Sequence, residues 1–368
     1  MSGPPMQSLE TYLQSDFEPV DSAQIELPVA DEFHVGWWRR LEARDGGDAR
    51  TLVAALPQFL VPIEEGASSS ERYQALVRRG EPAAGLDGAP ASGEGIFVDP
   101  DSVRWTVVDH PAGGLPVVTL GHRTDFERAF RAIGGRCEPI PVGPNVHALY
   151  VSGLPNPVRM REIEASFLES GGTPADWPAE IRRRRADDAT SFHDRIILLH
   201  PAPYGGIAAD RVGGGLDDAG WVEASMRLRL EHEFTHHATH RLLGSYRLHV
   251  HDEVLADLMG FVAGIGRFEA GLFLEGLGVP EGSDEIPEDA RLRTYVRELD
   301  PAAWPSLVRG LRSVAAAVER RSEAFTAASG VERLRLLLSL SGRDLGALAR
   351  EAADAELPLA FREPSEKS

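Results

Sequence analysis

Apolar residues recur along this chain at two different periods, and the change of period divides it. In the first 200 residues, short runs of strand character stand out at 103–108, 116–120, 147–151 and 195–199. The last contains the uninterrupted Ile196-Ile197-Leu198-Leu199 and is closed by Pro201. Such short β-branched and aliphatic runs bounded by Gly, Pro or charged residues predict strands. Helical spacing appears before and between them, at 32–43, 49–60, 124–133 and 158–170. From 219 onward the spacing is helical almost throughout, at 219–243, 252–265, 268–277, 289–299, 302–327, 331–340 and 342–355. Strands early and helices late predict an α+β fold with a small mixed sheet and a predominantly helical core, not a doubly wound parallel sheet.

The breaks suggest three segments. Residues 1–96 form an N-terminal region of helices and loops, ending in the Gly-, Ala- and Pro-rich stretch 81–95 that reads as a linker. Residues 97–285 form the α+β core, and 286–368 a helical C-terminal region whose tail after Pro364 is expected to be disordered. The long helix at 219–243 has either Asp217 or Asp218 to cap its start and Gly244 to end it, and a loop at 245–250 leads into the next helix.

These two neighbouring helices carry the chemistry. Six of the 12 histidines lie between His232 and His251, and the first helix contains His232-Glu233-Phe234-Thr235-His236, an HExxH pentad. Residues four apart share a helix face about 6 Å apart along the axis, so His232 and His236 can turn both imidazoles to one ion. Glu233 is rotated by about 100° from that direction, which suits a general base acting on water. The second helix carries Glu253 and Asp257 in the run Glu253-Val254-Leu255-Ala256-Asp257. Glu253 is the expected third ligand, completing a three-ligand zinc site with one position open. Asp257 is expected to accept a hydrogen bond from the second nitrogen of a liganding histidine. Small residues at Ala256 and Gly260 allow the helices to approach closely.

The other histidines read differently. His240 is about 12 Å along the axis from His232, too far to share an ion with it. His237 lies on another face and reads as a solvated or packing residue. His249 and His251 are alternatives to Glu253 as ligand, and with Tyr246 they are alternatives for stabilising an oxyanion. The Gly-rich stretch 204–215 is a candidate rim or lid.

The pentad together with the Glu253–Asp257 run resembles the gluzincins, zinc metallopeptidases with HExxH on one helix and a glutamate ligand on the next. That resemblance implies a zincin-like core over 97–285, one zinc ion on His232, His236 and Glu253, and Glu233 as catalytic base. The wider stretch 228–260 resembles a bacterial family with an EHExTH helix followed by a DExxAD helix, which brings no known activity. The metzincin pattern fails, because Leu242 stands where a third histidine would be. The expected function is zinc-dependent hydrolysis of an amide or peptide bond. The alternatives are a metalloenzyme acting on a small metabolite and a metal-stabilised, non-catalytic scaffold.

Charge and composition trim the remaining possibilities. A net charge of −19 argues against a nucleic-acid partner, since neutralising phosphates needs clustered cations. The run Arg182-Arg183-Arg184-Arg185 is followed at once by Asp187 and Asp188, so it reads as a solvated helix end. No apolar stretch is long enough to span a membrane, and the N-terminal residues lack the pattern of a secretion signal, so a cytoplasmic location is expected. The single cysteine, Cys137, reads as structural. The expected partner is a peptide or small amide substrate, with no preference for oligomeric state. Ligand type suggests zinc without excluding iron, cobalt or nickel.

Overall fold

The computed structural model describes residues 6–15, 17, 20–82, 95–188, 190–244 and 248–352. Nearly all of the expected linker, the tail after Pro364 and Tyr246 lie outside them. The fold is α+β, as the two periods predict. Its sheet has four strands: β1 (Val103–Val108), β2 (Leu115–Leu120), β3 (Ala148–Pro155) and β4 (His193–Leu199). Their order is β1-β2-β4-β3, with β2 and β4 parallel and the two outer pairings antiparallel. The uninterrupted apolar run made β4 a central strand, buried from Asp194 to Leu199. Edge strand β1 alternates instead, with Val103 and Trp105 buried and Arg104 and Thr106 exposed.

The chain forms two compact units whose boundaries differ from the three expected segments. Residues 29–201 make one, and residues 1–28 with 202–368 make the other. The first is the sheet unit. Trp37, Trp38, Leu52 and Phe59, which precede the sheet in sequence, share a core with Trp105, Val118, Ile196 and Leu198 of its strands. A division at residue 96 would cut through that core. Cys137 is buried in the same cluster, and burial pushes its thiol up to about 12, so it is inert packing.

The second unit is helical. Its longest helices are Asp218–Leu243, called here the histidine helix, Val250–Ile265, called the carboxylate helix, and Trp304–Ala327. The carboxylate helix packs on both of the others, so a division at 285 would also cut through packed elements. The N-terminal segment joins this unit through Gln7 N–H, which donates to Glu298 O at 2.6 Å, and through Tyr12 Oη, which donates to Tyr295 O at 3.2 Å. Among the described residues no helix is long and apolar enough to cross a membrane. The stretch expected as one helix at 289–299 forms only Leu292–Tyr295, flanked by turns.

Candidate metal centre

Local chemistry fixes the ends of both site helices. Asp217 caps the histidine helix by accepting from Gly220 N–H, and Gly244 closes it in the left-handed conformation at φ 69°. The carboxylate helix starts at a cap made by His249, whose Nδ1 accepts from His251 N–H at 3.1 Å. Between them the helices approach closely. A Cβ added at Gly260 would lie 2.7 Å from the carbonyl oxygen of Leu228, and one added at Gly264 would lie 2.8 Å from that of Ala224. No larger residue fits there without separating the backbones.

The close approach sets an antiparallel register. Ala224 faces Gly264 and Leu228 faces Gly260. One turn further along, His232 Nδ1 meets Asp257 Oδ1 at 2.8 Å, and a turn beyond that His236 Nδ1 meets Asp252 Oδ2 at 2.7 Å. Each carboxylate accepts a hydrogen bond from Nδ1 of its histidine, which turns Nε2 of each ring away from that carboxylate. The two Nε2 atoms converge to 3.0 Å. Glu253 completes the group, with one oxygen 3.6 Å from His232 Nε2 and the other 3.5 Å from His236 Nε2.

These separations suit a small divalent ion. Ligand atoms around a tetrahedral ion with bonds of about 2.0–2.1 Å stand about 3.3 Å apart. The three donors, one atom from each residue and all within 4.8 Å of one another, could hold a metal ion. Two imidazole nitrogens at 3.0 Å must share either a proton or a metal ion between them. The electrostatics agree. Burial opposes a proton on His236, but Asp252, Glu253 and Glu233 outweigh it and raise the imidazole to about 10. The site attracts positive charge.

Residues around the cluster complete it. Tyr204 Oη donates to Asp257 Oδ2 at 2.9 Å, so the Asp257 carboxylate is held from both sides. Burial alone would raise Asp257, but Arg291, His232 and Tyr204 outweigh it and keep the carboxyl below its ordinary range. Burial and then Asp257 push the Tyr204 phenol well above its ordinary value, so it stays a donor. Arg229 donates to the carbonyls of Ala202 and Pro203 and fixes the strand-free segment that delivers Tyr204. Arg291 bonds Glu253 Oε2 and reaches Tyr295 Oη at 2.9 Å. Its side chain is 28% exposed, whereas those of His232, His236 and Glu253 are 10%, 9% and 5% exposed.

The structure therefore brings together His232, His236, Glu253 and Asp257. Glu233 is buried on the same helix, close enough to act electrostatically on both His236 and Arg229. His249 is excluded as a ligand. Its Nδ1 is used by the helix cap, and its Nε2 donates to Tyr12 O at 2.9 Å. His251 is buried beside Phe17 and lies outside the cluster. His237 is a packing residue, fully buried near Phe234. Sequence reasoning missed Asp252 and Arg291, and it read Tyr204 only as part of a rim. The signal for Asp252 was present: in an antiparallel pair, the acid about 1.4 turns before Asp257 falls opposite the histidine one turn after His232.

The chain belongs to the family of unknown function DUF7005, which matches it over residues 2–352. No curated protein and no solved structure matches it.

Proposed function

We propose that this member of DUF7005 is a zinc-dependent hydrolase that cleaves an amide or peptide bond. One observation carries the reading: two Nε2 atoms converge at 3.0 Å, each ring is backed by its own carboxylate, and a third carboxylate stands beside both. A group built only for stability needs no pair of ring nitrogens so converged beside a third carboxylate. A zinc ion bound by His232, His236 and Glu253 supplies a Lewis acid that acidifies water and polarises a carbonyl.

The chain's own groups then have distinct roles. Glu233 follows His232 by about 100° of helix rotation, a position from which its carboxylate would take a proton from water and pass it to the leaving amine. Asp257 and Asp252 hold the rings in the tautomer that frees Nε2. Tyr204 holds Asp257 in turn. Arg291 neutralises part of the carboxylate charge, and its exposed portion can meet a substrate oxygen.

A second reading has its own support. The described residues of the helical unit contain no named strand whose edge could pair with an extended peptide. The cluster side chains are at most 10% exposed, which suits a small amide metabolite. Two measurements test both readings. Elemental analysis should find about one zinc per chain in the purified protein and almost none in His236→Ala. Glu233→Gln should keep its metal and lose at least about a hundredfold in hydrolysis, followed by mass spectrometry on a mixed library of peptides and small amides. A Glu233→Gln variant that is as active as the parent would sink the catalytic assignment.

A further inference from the structure

We propose that a cleft in the sheet unit, independent of the metal centre, binds a small molecule with a flat aromatic body and an anionic head, an aryl phosphate or aryl carboxylate. The cleft encloses about 510 Å³, within the range usual for small-ligand sites, roughly 300–1,000 Å³. It lies among the helices Phe33–Asp45, Pro157–Glu169 and Trp177–Asp187.

Its walls are aromatic. Phe33 and Trp37 stand one helical turn apart, and Phe192 also lines the cavity. Phe33 is 69% exposed, the largest value among the exposed large hydrophobic residues described. Trp37 is held in place by its indole N–H, which donates to Glu162 at 2.7 Å. Trp37 and Phe192 are themselves buried, so a planar ring would lie against the exposed Phe33.

Its charge is unusual for this chain. Arg40, Arg159, Arg183 and Arg184 line it against two carboxylates, Glu162 and Asp187, although the whole chain carries −19. The arginine run at 182–185, read from sequence as a solvated helix end, thus places two of its members at a cavity. Glu180 and Asp187 already pair with Arg183, and Glu180 with Arg184. The other two are less matched. Arg40 is exposed and has no ion pair or hydrogen bond among the described residues.

Arg159 gives the second, independent observation. Its side chain is 3% exposed, with Nε donating to Asp194 at 2.8 Å and Nη1 to Ser191 O at 2.9 Å. Its Nη2 is buried and meets no acceptor among the described residues. Buried N–H groups on a charged side chain are normally matched, so the cleft wall keeps an unspent donor whose positive charge favours an anionic ligand. With Arg159, Arg183 and Arg184 already paired, Arg40 is the cation left to meet an anionic head.

Equilibrium dialysis of labelled phenyl phosphate against the full chain tests this. Saturable binding is expected, with inorganic phosphate and benzyl alcohol each competing about tenfold or more weakly, since each lacks one half of the recognised chemistry. Arg40→Glu should weaken binding about tenfold or more while leaving zinc content unchanged. Arg184→Gln is a second variant that spares the buried Arg159–Asp194 pair. Absence of saturable binding, competition by benzyl alcohol equal to that of phenyl phosphate, or full affinity in both variants overturns the proposal. Because zinc content is read separately, failure here leaves the hydrolase reading standing, and the reverse also holds.

Discussion

Each unit buries a histidine close to an aspartate, yet the two arrangements behave in opposite ways. In the sheet unit, Asp194 is completely enclosed, and three donors meet its carboxylate at 2.8 Å: Trp38 Nε1, Asn156 Nδ2 and Arg159 Nε. Nearby His34 is driven down to about 4, first by burial, with Arg159 and Arg195 adding to the effect against Asp194. Its imidazole is neutral at ordinary pH. In the helical unit, the carboxylates around His236 are numerous enough to overcome burial and raise it to about 10. Burial and ionisable residues are common to both. What separates a candidate site from a structural network is whether ring nitrogens and a carboxylate are left converging on one point.

That contrast can be broken experimentally, and the largest effect should come from the ligands. His236→Ala should reduce bound zinc from about one ion per chain to nearly none, read by inductively coupled plasma spectrometry, and a variant that keeps its metal refutes the cluster. The converse substitution, Asp194→Ala, should leave zinc content unchanged and destabilise the protein by about 3–5 kcal/mol, because it strands a buried guanidinium. Urea unfolding measures it.

Acid should next separate the two histidines. His34 has a folded pKa below its unfolded value of about 6.5, so the unfolded chain binds more protons between pH 6.5 and about 4. The stability that His34 contributes is present above pH 6.5 and lost as pH falls through that window, by about 3 kcal/mol in total. His34→Gln should flatten this part of the stability–pH curve, and an unchanged slope would discount the buried neutral imidazole. Smallest is the effect of the carboxylates behind the ligands. Asp252→Asn and Asp257→Asn should each weaken zinc binding about 10- to 100-fold without abolishing it, as measured by competition with a chelating dye. Equal affinity in both variants would show that the second nitrogens need no anionic partner.

Much of this was legible in the residues. The four strands fell where short apolar runs predicted them, with β2 and β4 starting slightly earlier and β3 running on to Pro155 through an irregularity at Val151–Leu154. The pentad and the Glu253–Asp257 run were local patterns on adjacent helices, and helical geometry alone carries them to one point. Arg291 could not be read this way. It reaches Glu253 from a turn nearly forty residues later, and no periodicity in sequence links the two. Tyr204 was obscured for a similar reason, since its position depends on the Arg229 contacts and on Gly276, where a Cβ would lie 2.5 Å from its ring. The unit boundaries were hidden because composition marks loops, whereas cores are assembled from segments distant in sequence.

The glycine contacts between the two site helices have a consequence for ion choice. Gly260 and Gly264 bring backbone against backbone, so the helix separation from which the donors project is held by main chain. A narrow, nitrogen-rich bite of this kind discriminates by radius. Calcium prefers six to eight oxygens at about 2.3–2.6 Å and finds neither the room nor the ligands here, so millimolar calcium should not displace zinc from the protein.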